Sequence, residues 1–183
     1  MTSDARPTGL VTGCLVAISF GTVFILVNSG GLSSPWPLII RLAGVIAAVA
    51  LLVALFRTVR TAAAPGTVPD VRGFTDRRYW LVVAVEVIAL FGGLYVINGV
   101  LELNEVSVAW VATVVGVHFF ALAWAWRMPM YHWLGAVMTV LGLAGFAAWA
   151  LTESAATVGL IAGVGSGVAL FGMVVAALRQ ARG

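Results

Sequence analysis

Long apolar runs separated by short polar breaks make up almost the whole chain. Six runs stand out, at about 10–27, 36–56, 79–101, 106–126, 130–151 and 156–178. Each approaches the ~20 residues that carry an α-helix across the hydrocarbon of a bilayer. Most breaks are turns. Asn28 to Pro37 is rich in Gly, Ser and Pro and has no acidic or basic residue. Leu101-Glu102-Leu103-Asn104-Glu105 is a short acidic hinge, and Arg127-Met128-Pro129 and Thr152-Glu153-Ser154 are tight turns. The one long break, Arg57 to Arg78, holds five arginines, two aspartates, two prolines and two glycines. It is too polar to enter hydrocarbon and too short and broken to fold alone, so it is predicted to be irregular.

Composition sharpens this picture. Hydrophobic residues make up 62% of the 183 and charged residues only 9%, against about 25% charged in soluble domains. The predicted fold class is therefore all-α: a polytopic integral membrane protein with six transmembrane helices in one bundle, and residues 1–183 as a single transmembrane domain with the loop 57–78 cytoplasmic. The first run is longer than the apolar core of a secretory signal and lacks a clear small-residue cleavage site, so it is read as an uncleaved helix.

Charge gives orientation. The formal net charge is +3 and every basic residue is arginine. The arginines flank apolar runs instead of forming a patch, which sets nucleic-acid binding aside. In a six-helix topology Arg6, the five arginines of the long loop, Arg127, Arg179 and Arg182 share one side, and Glu102, Glu105 and Glu153 share the other. The positive-inside rule then places both termini in the cytoplasm, with the bacterial inner membrane as the expected location. The tryptophans fit the same map by position. Trp36, Trp110 and Trp149 fall at outer ends and Trp80, Trp124, Trp126 and Trp133 at inner ends, where the indole prefers to lie.

The candidate chemistry lies in the polar residues left within apolar runs. Glu86 is seven residues from the inner end of the third run, a depth of about 10 Å at ~1.5 Å rise per residue. His118 lies eight residues from Trp126, about 12 Å deep on the same rise. Consecutive antiparallel helices tend to be neighbours, and ionisable groups at one depth on neighbouring helices are expected to meet. Two readings stay open: a buried polar pair that fixes the register of the two helices, or a proton-handling pair. Glu86 shares a stripe with Gly93 and Ile97, and His118 shares one with Ser107, Val111 and Val114.

A second candidate group comprises Arg41, Asn98, Glu102 and Glu105 at the outer end. Asn98 and Glu102 share a helical face, and the acids are the natural partners of Arg41. It reads either as a solvated rim with one snorkelling arginine or as a gate at an outer mouth. Gly159, Gly163 and Gly167 form two overlapping G-x-x-x-G units, a flat groove for close helix packing within the bundle or at a dimer seam. Thr12 and Ser19 share a face of the first run. Their hydroxyls bond to a helix backbone or line a solute path. Cys14 is alone and reads as a small apolar residue.

No G-x-S-x-G, H-E-x-x-H or paired-aspartate motif occurs within the runs. His118 and His132 fall at different depths of different helices. The chain is therefore expected not to be an enzyme and to use neither metal nor cofactor. Its expected partners are the lipid bilayer and a second copy or another membrane helix.

Two stretches resemble known families. Trp80-Leu81-Val82-Val83-Ala84-Val85-Glu86-Val87-Ile88 resembles the first helix of the small multidrug-resistance transporters, whose membrane glutamate carries protons and cationic drugs. The likeness covers one helix, and those proteins have four helices with the glutamate in the first. Val114-Val115-Gly116-Val117-His118-Phe119-Phe120-Ala121-Leu122-Ala123 resembles a V-G-x-H-F-x-P-L-A helix of uncharacterised small bacterial membrane proteins, with Ala121 in place of proline. That likeness reaches spans four and five. The first resemblance implies proton handling at Glu86, and the second adds weight to His118. The expected function is a small proton-coupled transporter or channel-like protein, or else a non-transporting accessory subunit that binds a partner through glycine-rich helix faces.

Overall fold

The computed structural model describes residues 8–61, 77–126 and 128–181. Among them the fold is helical throughout. It contains six helices long and apolar enough to cross a membrane. They are α1 (Thr8–Asn28), α2 (Trp36–Thr61), α3 (Arg77–Tyr95), α4 (Ser107–Trp126), α5 (Met130–Thr152) and α6 (Ala155–Gln180). α3 continues into a π-helical turn, Val96–Val100, and α6 contains a π-helical stretch, Gly159–Val164. The predicted loop begins later than its charge suggested. α2 runs on through Arg57 and Arg60 to Thr61, because arginines near a helix C-terminus suit its carbonyl end. Residues 62–76 and Arg127 lie outside the described residues.

Turn chemistry ends the helices. Glu153 closes α5 in the left-handed region at φ 49°, its N–H donating to the Trp149 carbonyl at 2.8 Å. Ser154 then caps α6, its hydroxyl accepting from the Thr157 N–H at 3.3 Å. Glu102, at φ 56°, turns the chain after α3 toward α4.

The helices are unequally enclosed. Helices α1, α4, α5 and α6 form the centre, α2 lies against α1 and α6, and α3 lies against α4 at the opposite edge. One apolar cluster joins α1, α2 and α6 through Cys14, Ile18, Ile25, Leu55, Phe171 and Val174. A second joins α1, α5 and α6 through Phe24, Leu134, Met138 and Leu170. A third joins α4 and α6 through Ala109, Ala112, Val158 and Ala162. Among the described residues, α3 contributes no side chain to any of the three.

Small residues allow the close approaches. A Cβ on Gly163 would strike the Asn28 side chain. One on Gly159 would lie 2.7 Å from the Asn28 carbonyl, and one on Gly167 2.6 Å from Ile25 and 2.7 Å from the Gly21 carbonyl. The glycine groove of α6 is thus filled by α1 and is not available for a dimer seam. Gly116, Gly135 and Gly142 do the same between α4 and α5, where a Cβ on Gly116 would meet Thr139 at 2.5 Å. Without these glycines the backbones would separate and lose dispersion contacts.

Candidate functional site: the seam between α3 and α4

The apolar periodicity that makes α3 and α4 helices leaves few polar side chains on them, and those on the facing stripes meet across the seam. The stripe of Glu86, Gly93 and Ile97 is the face of α3 that meets α4. His118 Nδ1 lies 2.9 Å from Glu86 Oε2, with the two side chains only 12% and 20% exposed. The Nδ1–Oε2 approach is too oblique for a well-formed N–H···O bond, and no other hydrogen-bond partner reaches Nδ1 among the described residues. The contact is an ion-pair distance without hydrogen-bond geometry, so its strength depends on charge more than on direction.

Two further contacts continue the seam. The Trp110 indole lies against Gly93 so closely that a Cβ there would overlap the ring. Its Nε1–H is shared between the carbonyls of Ala89 and Leu90, both at 3.3 Å. Near the connection between the helices, the Ser107 hydroxyl donates to Asn98 Oδ1 at 2.6 Å. Among the described residues, the Glu86–His118 contact pairs two ionisable side chains across this seam.

The expected outer group does not assemble. Arg41 lies on α2 and bonds to the end of α1, its Nε–H reaching the Leu26 carbonyl and Ser29 Oγ, each at 3.1 Å. The physical reason is separation. α2 and α3 occupy opposite edges of the bundle, so Arg41 meets α1 carbonyls before any acid of the α3–α4 connection. Asn98 belongs to the α3–α4 seam instead, while Glu102 and Glu105 are exposed. Trp110 also departs from its expected interfacial role. It is a seam residue, whereas Trp36, Trp80, Trp124 and Trp133 are exposed. Thr12 and Ser19 lie on an exposed face. Cys14 is buried at 3% exposure within the first cluster.

Sequence reasoning missed the part played by Trp110, although it lies one turn from Ser107 on the side of α4 that carries His118, and Gly93 was already on the facing stripe. It also missed Thr139 and Ser166, whose buried hydroxyls have no hydrogen-bond partner among the described residues. Near-equal rows of Ala, Gly, Ser and Thr gave no signal for either.

No protein-family model, curated protein or solved structure matches this chain. What fold and seam define is a class: an all-helical chain whose six long apolar helices can span a membrane, with a carboxylate and an imidazole joined between two of them.

Proposed function

We propose that the protein is an integral membrane protein of the bacterial inner membrane, with both termini cytoplasmic, and that it acts as a small proton-coupled transporter or channel-like protein in which Glu86 and His118 handle the proton. The observation that carries this reading is the 2.9 Å contact between two ionisable side chains inside apolar helices, neither fully shut off from the surface. Ionisable groups at such depth are costly and usually serve function. A carboxylate and an imidazole in contact can take up, pass and release a proton without an isolated charge remaining in hydrocarbon.

The test is proton exchange in liposomes carrying a trapped pH-sensitive dye, after an imposed pH step. The parent is expected to dissipate the gradient faster than empty liposomes. Glu86→Gln and His118→Gln are each expected to slow this by tenfold or more while retaining the parent's elution profile in detergent. Parent and variants dissipating at the rate of empty liposomes would refute the reading.

The alternative is a non-transporting accessory subunit. The glycine groove of α6 is already filled by α1, so a partner would need another face. The observation favouring this reading is the openness of α3, whose membrane-length window is only 6% buried. A homo-oligomer or partner helix would pack there, and crosslinking in native membranes through a cysteine at Ile88 would detect it.

A further inference from the structure

We propose that Arg41 binds the phosphate of a membrane phospholipid in the leaflet at the α1–α2 turn, with the exposed face of α2 beneath it taking the acyl chains. The inference rests on the membrane reading of the chain and is independent of proton handling.

The guanidinium is held from behind. Its Nε–H is shared between the Leu26 carbonyl and Ser29 Oγ, each at 3.1 Å. Leu26 belongs to the last turn of α1, whose carbonyls have no intrahelical N–H to accept from. Ser29 is fully buried, and its hydroxyl donates to the same Leu26 carbonyl at 3.4 Å. The anchor is therefore part of the packed end of α1. Gly30 lets the guanidinium lie close over the turn, since a Cβ there would come within 3.0 Å of an Arg41 Nη.

The front of the fork is open. The two Nη atoms carry four N–H groups, and among the described residues no acceptor and no carboxylate reaches them. Glu102, Glu105 and Glu153 lie at this end of the bundle, and none pairs with Arg41. The other basic residues of the described helices, Arg57, Arg60, Arg77, Arg78 and Arg179, belong to the opposite end. A lone cation at the edge of hydrocarbon calls for an anion. A planar fork suits a phosphodiester, which accepts two parallel N–H bonds on two oxygens. A freely snorkelling arginine would lose the mobility of its stem on binding. Here the Nε bonds already fix the stem, so less freedom is lost.

The surroundings distinguish a lipid phosphate from a free one. Arg41 is five residues past Trp36, about 7.5 Å further into the helix at ~1.5 Å rise per residue. Leu38, Arg41 and Val45 share a face of α2 by their i−3, i, i+4 spacing. Leu38, Leu42, Val45 and Val49 are all exposed, as is Trp36 at the rim, where an indole suits the interface. One cation thus tops a continuous exposed apolar surface. A free phosphate has no use for such a surface, whereas the chains of a phospholipid cover it.

The experiment titrates the delipidated full chain in dodecyl maltoside with dioctanoyl phosphatidylglycerol and reads the tightest lipid adduct by native mass spectrometry. Arg41→Gln, which keeps a donor for the α1 carbonyl, is expected to weaken that adduct by about tenfold or more. Arg41→Lys keeps the charge without the fork, and Ser29→Ala keeps the fork without its hydroxyl anchor. Each is expected to weaken the adduct by about threefold or more. Arg60→Gln, at the far end of α2, is expected to bind as the parent does. Equal affinity in the parent and Arg41→Gln would overturn the site. Should Arg41→Gln elute unlike the parent, equal affinity in the parent, Arg41→Lys and Ser29→Ala would overturn it instead. Dioctanoylglycerol, which lacks the phosphate, binding as tightly as the phospholipid would overturn it too. Displacement of the lipid by an equal concentration of inorganic phosphate would assign Arg41 to free phosphate and overturn the lipid site. Alkaline carbonate extraction of native membranes separates this inference from the reading it rests on. Release of the parent refutes the membrane reading. A retained parent whose lipid adduct is indifferent to Arg41 overturns the lipid site alone.

Discussion

At the scale of single residues, the Glu86–His118 contact has a thermodynamic signature distinct from its functional one. Two ionisable groups 2.9 Å apart and largely enclosed depend on each other, since removing one leaves the other unpaired in an apolar seam. A double-mutant cycle with Glu86→Gln, His118→Gln and the pair, measured by unfolding in detergent, is expected to give a coupling of about 2 kcal/mol. Additive losses would show that each residue acts alone. The turn between α5 and α6 makes a simpler case. Glu153 holds a left-handed conformation that glycine adopts without a Cβ penalty, so Glu153→Gly is expected to raise stability by up to about 1 kcal/mol. Ser154→Ala removes the cap on the Thr157 N–H and is expected to cost about 1 kcal/mol. Opposite signs at adjacent positions distinguish these local effects from any general response of the turn to substitution.

At the scale of helices, glycine decides which faces meet. Gly93 and Gly92 are neighbours in sequence with opposite surroundings, one under the Trp110 ring and the other open. Gly93→Ala is expected to push α3 off α4 and destabilise by about 1–3 kcal/mol, the usual cost of overpacking. Gly92→Ala is expected to be neutral or stabilising by up to about 1 kcal/mol through helix propensity. Thermal unfolding followed by circular dichroism reads both, and equal effects would show that Trp110 does not fasten the seam. Much of this scale was legible in the sequence. Apolar run length announced six helices, and the stripe Glu86, Gly93, Ile97 announced the face that α3 turns to α4. The partner of each face was not legible. Arg41 was matched with acids by charge alone, but α2 and α3 lie at opposite edges, and its nearest acceptors are the carbonyls and hydroxyl at the end of α1. The α6 glycines were recognisable as a contact face, yet only three-dimensional packing assigns that face to α1. Trp110 was placed by its sequence position near a helix end, which says nothing of the direction in which the indole turns.

At the scale of the whole molecule, the arrangement links orientation to mechanism. The proposed topology puts the end of α3 near Trp80 on the cytoplasmic side and the α3–α4 connection, near Glu102, outside. Glu86 and His118 lie nearer the Trp80 end of the seam, so a proton reaching them from that end would come from the cytoplasm, whereas the reversed topology would admit it from outside. Orientation is therefore a functional statement and can be tested without any transport assay. In the Cys14→Ala background, Ser33→Cys, in the exposed α1–α2 turn, and Arg60→Cys, exposed at the far end of α2, lie at opposite ends of one helix. With a membrane-impermeant maleimide on intact spheroplasts, Ser33→Cys is expected to label and Arg60→Cys to label only after lysis. The inverse pattern would reverse the direction of proton entry while leaving the seam chemistry unchanged. Labelling of both before lysis would mean that α2 does not separate two compartments, and the proposed membrane topology would fall with it.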